Sequence, residues 1–143
     1  MRAGFHRFTI CWCVLLFVPL CYVGCTSSAE KDFQRFQSEA KDRIDPLKLQ
    51  QWARSIAEKR ELYYQVPTED LPWDIRKFHP EAFPTAFVVE GNGPGKKLLV
   101  IMWGGRVKHQ GLVIGDQDYK GIPAEGPEMT MWIAGVYFFL GSE

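Results

Sequence analysis

The chain has 143 residues, 46% of them apolar and 14% aromatic, and its 17 basic side chains balance 17 acidic ones. That composition excludes intrinsic disorder, the length excludes two large domains, and the zero formal charge argues against nucleic acid as the main partner, since phosphate binding calls for a basic excess. All four cysteines, Cys11, Cys13, Cys21 and Cys25, precede Thr26, and none follows it.

At the amino terminus, Arg2 and Arg7 lead into an apolar run from Phe8 to Val23, the order of a positive n-region and an apolar h-region in an export signal. The run ends in Tyr22-Val23-Gly24-Cys25, with polar Thr26-Ser27-Ser28 behind it. These four residues resemble the lipobox of bacterial lipoprotein signal peptides, with Tyr22 where that family most often has Leu. The resemblance implies cleavage after Gly24, a diacylglycerol on the Cys25 sulfur and acylation of the new amine. Residues 1–24 are then a signal peptide and 25–30 a lipidated tether. Two or three acyl chains hold a protein at a bilayer far better than one, so no spanning helix is needed. Thr26 stands where the family's inner-membrane retention signal has Asp, which implies sorting to the outer membrane in an organism with two membranes. Three other readings fit less well. An ordinary secretory peptide leaves Cys25 unexplained or removes it. An uncleaved anchor needs about 20 apolar residues, whereas this run is shorter and carries Pro19. A type IV prepilin leader, suggested by Gly4-Phe5, is contradicted by His6, Arg7 and Thr9, the last standing where that family has glutamate.

Glycine placement divides what remains. None occurs between Cys25 and Glu90, and eleven occur from Gly91 to Gly141, so a helical part should precede a turn-rich one. Ser27 and Glu30 fit a capping box; Phe33, Phe36, Ala40 and Ile44 then share one helical face, and Glu39 with Arg43 forms an i,i+4 pair. Asp45-Pro46 reads as a fresh helix start. The second helix should bury Leu49, Trp52, Ala53, Ile56 and Tyr63. A proline-punctuated connector follows, with Leu71, Trp73, Ile75 and Phe78 as anchors and Thr68 as the cap of a short turn. Strands are predicted over 85–90, 97–103 and 107–114, the first two joined by a hairpin loop at 91–95. The run from Met129 to Leu140, broken by Gly135, is one bent strand or two short ones. The expectation is a single α+β domain over 31–143, with helices in 31–64, the connector in 65–84 and an antiparallel sheet of about four strands in 85–140.

Candidate sites are few. Gly91-Asn92-Gly93-Pro94-Gly95-Lys96-Lys97 looks like a phosphate loop but has Lys97 where Ser or Thr is needed, and a strand rather than a helix follows, so a nucleotide is not expected. His109, with Trp103 and Arg106, is the sharpest ligand-binding candidate, because an imidazole can serve as ligand or acid–base group and the neighbouring glycines let a ligand approach the backbone. An enzyme built there would be a small hydrolase, with Arg106 holding an anion and Asp116 or Asp118 orienting His109. It lacks companions: no serine lies between Ser55 and Ser142, and no His-Glu-x-x-His or Cys/His cluster is present. Only His79, near Asp74 and Glu81, could join His109 at a metal, so no metal or cofactor is expected. Trp73, Trp103 and Trp132 are candidates for stacking on a sugar or peptide, although aromatics in so small a domain usually fill the core. Lys31, Asp32, Arg35, Lys41, Asp42 and Arg43 alternate in sign and read as a solvated face. From Lys31 onward no pattern resembles a known family. The expected role is a non-catalytic binding or structural module of the bacterial cell envelope, held to the membrane through Cys25 and meeting an envelope protein or a small ligand.

Overall fold

A computed structural model describes residues 28–79, 82–93, 95–104, 108–120 and 128–142. The signal peptide, Gly24, Cys25, Ser27, Glu81 and Arg106 lie outside the described residues. Helix α1 spans Ser28–Arg43 and α2 spans Pro46–Lys59. Between them Asp45 takes an extended conformation, and its carboxylate accepts hydrogen bonds from the Leu47 and Lys48 amides while Pro46 occupies the first helical turn. The cap thus satisfies two amides that the helix itself cannot.

The connector is more structured than its prolines suggest. It contains β1 (Gln65–Val66), a 3₁₀ turn at Thr68–Asp70 and the one-turn helix α3 (Trp73–Arg76). Leu71, Ile75 and Phe78 are buried as expected. Trp73 is 66% exposed, so it is not an anchor, and Thr68 lies inside the turn, whose preceding residue Pro67 makes no side-chain cap. Tyr63 also departs from the helical reading. Helix α2 stops at Lys59, and Tyr63 stands 77% exposed at φ 65°, its amide donating to the Val88 carbonyl. The strand partner captures this backbone before another helical turn can form.

Five further strands follow: β2 (Thr85–Glu90), β3 (Lys97–Gly104), β4 (Lys108–Ile114), β5 (Glu128–Ile133) and β6 (Val136–Ser142). The sheet is antiparallel throughout, in the order β1-β2-β3-β4-β6-β5. Among the described residues it has six strands instead of about four, for two reasons. The two residues of β1 exist as a strand only through pairing with Phe87 and Ala86, and the last apolar run folds back at Gly135 into two strands. Gly135 adopts φ +83°. A β-carbon there would lie 2.3 Å from the Asp116 carbonyl oxygen, so the turn admits no side chain.

The period-two alternation of each strand divides the sheet into two apolar faces. The helices cover one, where Phe33, Phe36, Ala40, Ile44, Leu49 and Ala53 meet Ala86, Val88, Leu99, Ile101, Trp103, Leu112, Ile114, Val136 and Phe138. Burying each of the larger of these side chains contributes about 1.5–3 kcal/mol. The other face gathers Leu98, Val113, Tyr119 and Phe139, ringed by half-buried Val89, Val100, Met102, Met129 and Tyr137. The Phe139 ring lies directly on Gly111: a β-carbon there would sit 2.6 Å from its Cε1 and 2.1 Å from the Ile101 carbonyl oxygen.

One polar side chain ties the helical layer to the far end of the sheet. Gln50 of α2 is 5% exposed, and its amide nitrogen donates to the Gly115 carbonyl at 2.9 Å and to the Ala134 carbonyl at 3.0 Å. The turn after β4 and the β5–β6 turn are thereby clamped together, beside the Gly115 amide donating to the Gly135 carbonyl at 2.8 Å.

Candidate functional site

Of the residues singled out around His109, the described ones, Trp103, Asp116 and Asp118, do not converge on it. Trp103 is 1% exposed, wedged edge-on against Phe36 and Phe78 with ring centroids 5.5 Å away in both cases, and thus belongs to the core. His109 sits opposite Gly104 and Gly141 at one end of β4, on the face that Val113 shares. Asp116 and Asp118 lie past the other end. At about 3.4 Å per residue the strand from His109 to Ile114 spans roughly 17 Å, too far for either carboxylate to orient the imidazole. Asp116 is instead paired with Arg54 at 2.9 Å, and Asp118 with Lys96, whose bond holds the Asp118 carboxyl below its ordinary range.

His79 is separated from His109 by the sheet itself. Its ring stacks on Phe36 at 6.0 Å and meets Phe78 edge-on at 5.0 Å, which places it on the helical side. Among the described residues no three His, Cys, Asp or Glu side chains are grouped to hold a metal ion. Of the three tryptophans considered for stacking, Trp132 packs on Phe138 at 4.9 Å and only Trp73 is presented to solvent.

What the fold does build around His79 is an open cleft of about 590 Å³ between α1 and the sheet. Asp32, Arg35, Glu39 and Arg43 line one wall, Phe36 and Phe78 the floor, and His79 and Gln110 the far side. The wall follows from helical spacing: 32, 35, 39 and 43 run beside the buried stripe 33, 36, 40 and 44. Gln110 reaches the cleft because alternation turns it to the helical side of β4 while His109 points away.

The charges of this wall are mostly spent within the protein. Arg35 Nε donates to Glu39 Oε1 at 2.8 Å, and this bond, aided by the charges of Arg35 and Arg43 and by His79, keeps the Glu39 carboxyl below its ordinary range. The expected Glu39–Arg43 pair is replaced. Arg43 donates to the Phe78 and Lys77 carbonyls at 3.2 and 3.1 Å and covers the Phe78 ring at 5.5 Å, so its guanidinium fastens α1 to the residues following α3. His79 Nε2 is buried without a hydrogen-bond partner among the described residues.

A second, smaller recess of about 260 Å³ lies at the opposite end of the sheet, between α2 and the β2–β3 loop. Its charged groups are also internally paired, Arg54 with Asp116 and Lys96 with Asp118, while Lys97 Nζ donates to the Arg60 carbonyl. The β2–β3 loop is thus a hairpin turn between strands, with Lys96 and Lys97 engaged by the protein itself.

The cleft escaped the sequence reading because the signs of Asp32, Arg35 and Arg43 alternate, as on any solvated helix face. The one available signal was their position immediately beside the apolar stripe. Compared with known proteins, the chain matches no family model, no curated protein and no solved structure. Among the described residues no helix is long and apolar enough to cross a membrane.

Proposed function

We propose that the chain is a lipid-anchored protein of the bacterial cell envelope whose α+β domain acts without catalysis, as a binding or structural module. The observation that carries this reading is Gly24-Cys25 at the end of an apolar run preceded by Arg2 and Arg7. Acylation of Cys25 would leave a mature chain without a free thiol or a disulfide. The described domain is consistent with that, since it builds its stability from two apolar faces of one sheet. A non-catalytic role is supported by the separation of His109 from Asp116 and Asp118 and by the placement of Trp103 in the core.

Metabolic labelling with radioactive palmitate tests the anchor. Wild-type protein incorporates label and sediments with membranes, whereas Cys25→Ser incorporates none and is released. Equal labelling of both would refute the reading.

A further inference from the structure

We infer that the end of the sheet bearing the connector rests on the bilayer, with Trp73 and Phe83 as anchors among zwitterionic headgroups; this rests on reading Cys25 as the lipidated residue. Strand register defines that end. The connector leaves β1 after Val66, opposite Ala86, and rejoins the sheet at Thr85, opposite Met102. Lys108 pairs with Ser142 there as well. The first half of α1 lies toward the same end. Asp32 lines the cleft with Gln110, Gln110 pairs with Trp103, and Phe36 meets the rings of Phe78 and Trp103. The last turn of α1 leads through Asp45 into α2, whose Gln50 binds the Gly115 and Ala134 carbonyls at the opposite end.

The length of the tether brings this end to the lipid. Helix α1 begins at Ser28, three residues after Cys25, so the two Cα atoms lie at most about 11 Å apart. Acyl chains on Cys25 occupy the hydrocarbon core, and the headgroup layer above it is roughly 5–8 Å deep. The start of α1 is thus held at the headgroup surface, and the connector faces the bilayer. That end presents two rings to solvent. Trp73 is 66% exposed and Phe83 82%, although Leu71, Ile75 and Pro84 beside them in the chain are buried. Aromatic side chains favour the boundary between water and lipid. Among the described connector residues Glu69, Asp70 and Asp74 stand against Arg76 and Lys77, so no basic excess draws the domain to anionic lipid. The attachment is apolar, which suits zwitterionic headgroups.

Quenching of tryptophan fluorescence tests this, with the lipidated chain reconstituted into phosphatidylcholine vesicles whose acyl chains carry bromine close to the headgroups. The mature chain keeps Trp52, Trp73, Trp103 and Trp132, of which Trp73 alone is mostly exposed. Brominated vesicles quench the wild-type emission relative to unbrominated ones, Trp73→Phe loses most of that quenching, and Phe83→Ser weakens it. Both variants keep the wild-type melting temperature, because both side chains are exposed. High salt leaves the quenching unchanged, as an apolar contact requires. The inference is overturned if bromine does not quench the wild type, if Trp73→Phe is quenched equally, or if salt abolishes the effect. Shielding of Trp73 that rises with protein density and ignores bromine would assign the surface to a second copy of the chain and overturn it too. Palmitate labelling with unquenched Trp73 would refute this surface and leave the lipid anchor standing, whereas absent labelling would overturn both.

Discussion

Replacing Gln50 by Leu tests whether one buried amide clamps α2 to the two adjoining turns at one end of the sheet. The substitution keeps roughly the same volume, so the cavity contribution is small, and the loss comes from hydrogen bonding. Two bonds of 2.9 and 3.0 Å disappear, and the Gly115 carbonyl, which lies in a buried setting, is left without its side-chain donor. The bond to Ala134, in a partly exposed setting, is worth about 0.5–1.5 kcal/mol net, and an orphaned buried acceptor costs about 1–3 kcal/mol. The expected destabilisation is therefore about 2–4 kcal/mol, seen as a lower urea midpoint with an unchanged slope, since the surface exposed on unfolding is the same. Gln50→Glu supplies an internal control. At neutral pH its carboxylate cannot donate to either carbonyl and is buried against them, so it should be less stable than Gln50→Leu. Protonation on acidification restores one donor, so the gap between the two variants should close as pH falls. A midpoint shift equivalent to less than about 0.5 kcal/mol for Gln50→Leu, within the range of an ordinary surface substitution, would refute the clamp.

Gly111→Ala should destabilise the sheet by about 2–3 kcal/mol, because the added carbon meets the Ile101 carbonyl oxygen at 2.1 Å and the Phe139 ring, and β3 must shift to admit it; an unchanged thermal midpoint would show that the ring does not seal that glycine. Tyr119 governs an alkaline effect. Burial, with a smaller contribution from Tyr137, pushes its phenol above the ordinary range. The unfolded phenol therefore ionises first, near pH 10, and stability falls from there up to the folded-state value, since the unfolded chain binds fewer protons. Tyr119→Phe should lessen this fall. It should also match or exceed wild-type stability at pH 7 by up to about 1 kcal/mol, because the lost hydroxyl has no hydrogen-bond partner among the described residues. Identical alkaline slopes for the two proteins would contradict the placement of Tyr119.

Most of the secondary structure was legible because it rests on local signals. Asp45-Pro46 starts a helix through its own carboxylate, Phe33-Phe36-Ala40-Ile44 marks one helical face, and Gly91 to Gly95 joins two apolar strands into a hairpin. Elements that depend on a distant partner were not legible. Strand β1 is defined by β2, and the end of α2 by the Val88 carbonyl that draws Tyr63 out of the helix. The site suffered the same limitation more severely. His109 and Gln110 are neighbours in sequence, and only their opposite sheet faces decide which one meets the cleft. Arg43 satisfies the local rule for pairing with Glu39, yet two carbonyls beyond α3 claim it.

The division follows the range of the interactions. Composition, the arginines and apolar run before Cys25, helix caps and apolar periodicity depend on residues a few positions apart, so the chain alone determined the α+β class and the expectation of a lipid anchor. Closure of the cleft around His79, the clamp of Gln50 on two turns and the second apolar face beneath Tyr119 join groups far apart in the chain. Those contacts exist only once strand register has set which side chains share a face, and for that reason the tertiary structure alone decided them.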